Sequence, residues 1–290
     1  MSDGRCDRCR EINYCTECGT KVESFKHIGV RASGSLKSAI WHYALPCWHR
    51  IDISGGKEAK AAPAGSKLAV YNGGPLWKGG YQWVNVYWGK FWKGQQWVDM
   101  LDKATEDIET NASYSGELSQ YNVGIGSLKG HVEIPADPPV TISSTEIGKQ
   151  IEAWVSDGTL PDLQAKGAYN IFLPPGVTAT LGPDKSCAVF CDYHDTAGGN
   201  SGPFFTCEPY PCSIGCNQCN SNPFDTLTQG LSEEMVELKT DMNPGTGWVI
   251  GNEEICDYCD KNFVCNQISS GEYVNAWYSD ATGACWSSKP

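Results

Sequence analysis

At 290 residues, 40% of them hydrophobic and 19% charged, the chain holds enough apolar material for one large core or two modest ones, which excludes intrinsic disorder. A formal net charge of −12 argues against a nucleic-acid partner, because phosphate binding begins with surplus Lys and Arg, and it suits metal cations. Fifteen cysteines favour an extracellular, oxidising setting or metal binding, and no apolar run approaches the roughly 18 residues of a membrane span.

Residues 1–54 read as a cysteine-rich N-terminal module. The opening Met1–Cys6 lacks the apolar core of a signal peptide, so the extracellular assignment rests on cysteine content rather than on a visible leader. Cys6-x2-Cys9 and Cys15-x2-Cys18 are two knuckles whose thiolates can close a tetrahedral zinc shell. Two local disulfides satisfy the same spacing. Gly55 to Lys67, rich in Gly, Ala and Lys, reads as a linker, and 68–290 as the main domain.

In that domain Tyr81–Trp92 is an aromatic and β-branched run expected to form a strand. Trp97, Leu101, Ala104 and Ile108 recur at helical spacing, and Val123–Ile134 reads as strand or hairpin. Ser143-x-x-Glu146 spells a capping box ahead of Ile147, Ile151 and Trp154, predicting a second helix that Gly158 ends. Tyr169–Leu173 is the next strand. Cysteines 187, 191, 207, 212, 216 and 219 then crowd a loop-rich stretch that needs covalent staples, with the pairing left open. A third helix is expected over Phe224–Asp241, and a last strand near Tyr273–Tyr278. The order is that of an α+β fold with a mixed sheet and three main helices.

The third helix carries the chemistry. At 100° per residue Leu227, Leu231, Met235 and Leu238 form an apolar stripe. Glu233 and Glu237 stand one turn apart on another face, Asp241 continues their row, and Glu234 lies between row and stripe. Gly230 leaves room there for a neighbour. Carboxylates so close repel unless a cation neutralises them or water screens them, so the face is either a divalent-cation site or a solvated acidic flank. His194 supplies an imidazole if the cysteine-rich loop folds over the helix, and Glu234 is then the candidate general base beside a metal-bound water.

Several stretches resemble the phosphate-induced (EXORDIUM) protein family over about residues 66–290. Tyr71-Asn72-Gly73-Gly74-Pro75-Leu76 followed by Val86–Phe91 is similar to that family's opening turn and strand; Tyr169–Thr178 to its middle strand; Cys187-x3-Cys191-x2-His194 and Cys212-x3-Cys216 to its cysteine pairs. Bacterial relatives carry a His-Glu-x-x-Glu helix of zincin-like character, matched here by Ser232–Asp241 and Pro244–Trp248, with Glu233 where they hold histidine. The resemblance implies a zincin-like scaffold and an extracellular location. The loss of that histidine points to a non-catalytic binding or structural protein on a degenerate metallopeptidase-like scaffold, with a metal-dependent peptidase as the alternative.

Trp77, Trp83, Trp88 and Trp92 offer aromatic faces for a glycan or protein partner, although strand alternation sets Trp83 opposite to Trp88 and Trp92. Cys256-x2-Cys259 has redox spacing but no helix N-terminus to stabilise a thiolate, so more distant disulfide partners are expected.

Overall fold

The computed structural model describes residues 69–198, 201–212, 216, 219, 222–260 and 264–288, together with the backbone of 41–44 and 47–50. The N-terminal Cys6, Cys9, Cys15 and Cys18 and the 55–67 linker lie outside the described residues. The chain divides into two units, Met1–Lys60 and Ala61–Pro290. In the first, strands β1 (Trp41–Ala44) and β2 (Cys47–Arg50) form an antiparallel hairpin.

The second unit is a mixed α+β domain. Its elements begin with β3 (Val70–Tyr71), β4 (Gln82–Trp88), α1 (Gln96–Thr110), β5 (Ser127–Ile134), β6 (Thr141–Ser143), α2 (Ser144–Ser156), β7 (Gly167–Phe172), β8 (Thr178–Leu181) and β9 (Asp184–Lys185). They continue with β10 (Tyr193–Thr196), β11 (Phe204–Glu208), α3 (Pro223–Thr240), β12 (Trp248–Ile250), β13 (Glu253–Glu254) and α4 (Asp257–Asp260). The five-stranded sheet runs β10-β11-β7-β4-β5, parallel throughout except for the antiparallel edge strand β10.

Central strands covered on both faces carry apolar or satisfied side chains at every position. Trp83 and Tyr87 of β4 face a core shared with Leu101 and Ile108 of α1 and Leu231 and Met235 of α3. Val84, Val86 and Trp88 face Ile147, Ile151 and Trp154 of α2. α2 starts as its sequence demands: the Ser143 side chain accepts from the Glu146 N–H while the Glu146 carboxylate accepts from the Ser143 N–H at 2.8 Å.

Three expectations need correction. Trp77, Trp83, Trp88 and Trp92 are all 5% exposed or less, so they are core and not a binding stripe. Trp92 also rejoins the Trp83 side, because the 3-10 turn Lys90–Trp92 breaks the strand's alternation. Tyr273–Tyr278 is not one strand but two short segments, Tyr273–Val274 and Tyr278–Ser279, in separate hairpins. Asn275 diverts the chain between them, donating its N–H to Ser232 Oγ at 2.8 Å and its amide to Asp260 Oδ1 at 3.1 Å.

Disulfides Cys187–Cys212, Cys191–Cys216 and Cys259–Cys285 brace the cysteine-rich regions. Cys256 stays a buried thiol, so the Cys256-x2-Cys259 spacing is not a redox pair. No helix among the described residues is long and apolar enough to cross a membrane.

Candidate metal centre

α3 opens with Asn222 as N-cap, its side chain accepting from the Phe224 N–H, and Pro223 in the first turn. The apolar stripe Leu227, Leu231, Met235 and Leu238 sinks into the core as its periodicity requires. The acidic face is not solvated: Glu234 and Glu237 are each 4% exposed. It lies under β10 and β11, and a second wall comes from β13 and α4.

Strand alternation sets Tyr193 toward α2 and His194 toward α3. His194 Nδ1 stands 2.9 Å from Glu234 Oε2 and 3.8 Å from Glu237 Oε2. On the other side Nε2 lies 3.2 Å from the Asp241 carbonyl oxygen and 3.5 Å from Glu254 Oε1. A carbonyl only accepts, so Nε2 carries the proton and the Nδ1 lone pair is turned toward the two glutamates. Burial holds the imidazole neutral, pushing its pKa down to about 4. A neutral ring with its outer nitrogen tied to a carbonyl is the form in which histidine ligates metals.

The neutral His194 ring brings no positive charge to Glu234, Glu237 and Glu254, which stand 2.9, 3.8 and 3.5 Å from its nitrogens. Burial raises Glu234 well above the carboxylate range, and the charge of Asp192 adds to it. Burial likewise raises Glu237, with Glu254 contributing next. Oxygens from Glu237, Glu254 and Asp257 form a second close group, and those of Glu233, Asp257 and Asp260 a third. Glu233 therefore points to α4 and not to His194. Asp241 is different again: its carboxylate accepts from the N–H groups of Gly245, Thr246 and Gly247 at 2.6, 2.9 and 2.6 Å, leaving its backbone carbonyl to hold His194.

The sulfurs of Cys187, Cys212 and Cys216 also cluster, but disulfides account for them. Asp192, Glu208, Glu254, Asp257 and Asp260 are members of the acidic centre that sequence reasoning missed. For Asp192 a signal existed, since Asp192 and His194 share a face of an extended chain.

A polar row leads across the sheet to this centre. One register level carries His131 of β5, Asn85 of β4, Asn170 of β7, Thr206 of β11 and His194 of β10. Asn85 donates to Asp102 Oδ1 at 2.8 Å, Asn170 to Asn85 Oδ1 at 2.8 Å, and Thr206 to Asn170 Oδ1 at 3.3 Å. His131 meets Asp102 at the outer end, and Thr206 meets Glu208 at the inner one. Buried hydrogen-bonded rows of this kind fix strand register and rigidify what they support.

The donor set, one neutral imidazole and several buried carboxylates, fits a divalent cation taking nitrogen and hard oxygen ligands, such as zinc or manganese. No protein-family model, curated protein or solved structure matches the chain.

Proposed function

We propose that this is a non-catalytic extracellular binding or structural protein, built on an EXORDIUM-like and zincin-like scaffold, whose main domain is held together by a divalent cation at His194, Glu234 and Glu237. One observation carries the reading: an imidazole and two carboxylates from β10 and α3 meet within 3.8 Å of a single ring nitrogen, all three residues less than a tenth exposed. Stacking several carboxylates in a low-dielectric site is costly, and a cation supplies the compensating charge. The antiparallel edge strand beside the acidic helix supports the zincin-like assignment. The disulfides support an extracellular setting.

Burial favours a structural ion over a catalytic one, because a hydrolase must let substrate reach the metal-bound water. Elemental analysis of full-length protein purified without chelator should find a divalent ion that Glu237→Ala and His194→Ala each remove. Absence of any bound ion after equilibration with zinc and manganese refutes the proposal. A peptidase with Glu234 as general base remains the second reading, since Glu234 occupies the base position of the matched helix spelling. Chelator-sensitive peptide cleavage that vanishes in Glu234→Gln would establish it in place of the first.

A further inference from the structure

Among the described residues, Cys207, Cys219, Cys256 and Cys265 lie outside the three disulfides. Two of them are enclosed by the core. Cys207 is wholly buried beside Tyr193, and Cys256 is wholly buried with its sulfur 3.9 Å from the Glu233 carbonyl oxygen. Cys219 and Cys265 differ, because they meet each other: far apart in sequence, their thiols are hydrogen-bond neighbours.

The fold brings them together along two routes that converge on α3. Cys219 lies just before the N-cap Asn222 and donates its thiol proton to Gln229 Oε1 at 3.2 Å. Cys265 immediately precedes the strand Asn266–Gln267, which pairs with Tyr273–Val274. That hairpin packs on the same helix: Ile268 and Val274 share the core of Leu227 and Leu231, and the Asn275 N–H is tied to Ser232 Oγ. Both sulfurs are therefore placed by segments held against α3.

We infer that Cys219 and Cys265 close a further disulfide in this domain, one that exchanges with small thiols while the other three persist. The pairing is independent of the cation proposed at His194. A low-molecular-weight disulfide such as oxidised glutathione is the oxidant. Cys265 is exposed and Cys219 half-buried, so the Cys265 thiolate attacks first and one glutathione thiolate leaves. Cys219 then gives up its proton and attacks the Cys265 sulfur, expelling the second glutathione. Two protein thiols are oxidised as one glutathione disulfide is reduced to two thiols. Burial, with Cys265 adding to it, raises the Cys219 thiol above the ordinary range, which suits the resolving role and not the attacking one.

Two observations make this bond the labile one. It contains the exposed Cys265, whereas every cysteine of the other three is buried or half-buried. Closing it also takes the thiol proton from Gln229 Oε1, on a residue 8% exposed, so the reduced state keeps a hydrogen bond that the oxidised state loses. Exposure and a stabilised dithiol both move a pair toward the more oxidising potentials of exchangeable disulfides.

Full-length protein equilibrated across glutathione redox buffers, then alkylated and digested for mass spectrometry, reads each pair separately. In oxidised glutathione a Cys219–Cys265 cross-linked peptide should replace the two alkylated ones. It should open at a lower proportion of reduced glutathione than Cys187–Cys212, Cys191–Cys216 and Cys259–Cys285. Cys219→Ser should leave Cys265 as a glutathione adduct, because the resolving thiol is gone, and Cys265→Ser should leave Cys219 open to alkylation. Near-UV circular dichroism checks that each variant is folded; should both fail, the wild-type peptide map still decides. If Cys219 and Cys265 stay alkylated in oxidised glutathione, carry glutathione without linking, or link to other cysteines, the pairing is overturned. A Cys219–Cys265 bond that opens with the others or after them overturns its exchangeable character.

Discussion

Lys239 Nζ lies 3.2 Å from Glu109 Oε2, and both side chains are completely buried. The pair ties the C-terminal end of α3 to that of α1 on the side away from His194. Glu109 is the hub, accepting also from Tyr81 OH at 2.5 Å, Trp83 Nε1 at 2.9 Å and the Gly126 N–H at 2.7 Å. Lys239 adds a bond to Ser115 Oγ at 3.3 Å. With its hydrogen bonds filled, this ion pair contrasts with the acidic centre on the same helix, where carboxylates outnumber basic groups.

Removing one partner of a buried pair strands the other charge. Lys239→Met is expected to destabilise the protein by about 3–5 kcal/mol in denaturant unfolding. Lys239→Met combined with Glu109→Gln should recover part of that loss, because the uncompensated charge is gone. A cost below about 1 kcal/mol for the single variant would show that the pair does not carry its charge into the core.

The disulfides make a selective prediction. Cys187–Cys212 and Cys191–Cys216 each span 25 positions of sequence, and Cys259–Cys285 spans 26, so loop entropy assigns all three a similar contribution of roughly 3–4 kcal/mol. Their effects on the centre should differ. Only Cys191–Cys216 adjoins Asp192 and the strand holding His194. Cys191→Ser/Cys216→Ser should therefore weaken Mn²⁺ binding far more than Cys187→Ser/Cys212→Ser does, measured at a temperature where both variants remain folded. Equal weakening would reduce the braces to general stability.

Much of this architecture is legible in the sequence wherever one element settles the matter alone. The Ser143/Glu146 box, the period of Leu227, Leu231, Met235 and Leu238, and the alternation of Trp83 against Trp88 are local signals, and each element forms where they place it. The centre is not local. Nothing in residues 253–260 alone shows that their carboxylates meet α3, because that depends on tertiary packing and on Cys259–Cys285. Lys239 was readable in hindsight: it lies one turn after Met235 on the apolar stripe, where a lysine requires a buried partner.

Stability should depend on pH in opposite ways with and without cation. In chelator, protons are the counter-charge left to the buried acids. Burial lifts Asp192 to about 6 and Asp260 to about 8, and carries Glu234 and Glu237 well above the ordinary range. A carboxylate raised on folding contributes its full stability below the unfolded value of about 4 and loses it as pH climbs to the folded value. His194 opposes this: its pKa, lowered to about 4, costs stability in acid that is regained by about pH 6.5. One imidazole faces several carboxylates, so the melting temperature in chelator should fall between about pH 5 and 8. Excess Mn²⁺ should abolish or reverse that fall by displacing the protons. Parallel pH profiles with and without Mn²⁺ would contradict the coupling.

Asp241 separates a positioning residue from a ligand. Its carboxylate accepts three backbone N–H groups of the turn after α3, and its carbonyl sets the proton on His194 Nε2. Asp241→Ala leaves those donors unsatisfied, lets the turn relax and frees the imidazole to adopt the wrong tautomer or orientation. Stability should fall by about 1–3 kcal/mol. Mn²⁺ affinity should fall by about 10–100-fold, the usual effect of losing an outer-shell partner, while the number of ions bound at saturation stays unchanged. His194→Ala, by contrast, should abolish the ion at that position. If Asp241→Ala also removed the ion outright at saturating Mn²⁺, its carboxylate would have to leave the turn and join the ligands, and the three backbone hydrogen bonds would no longer describe the bound protein.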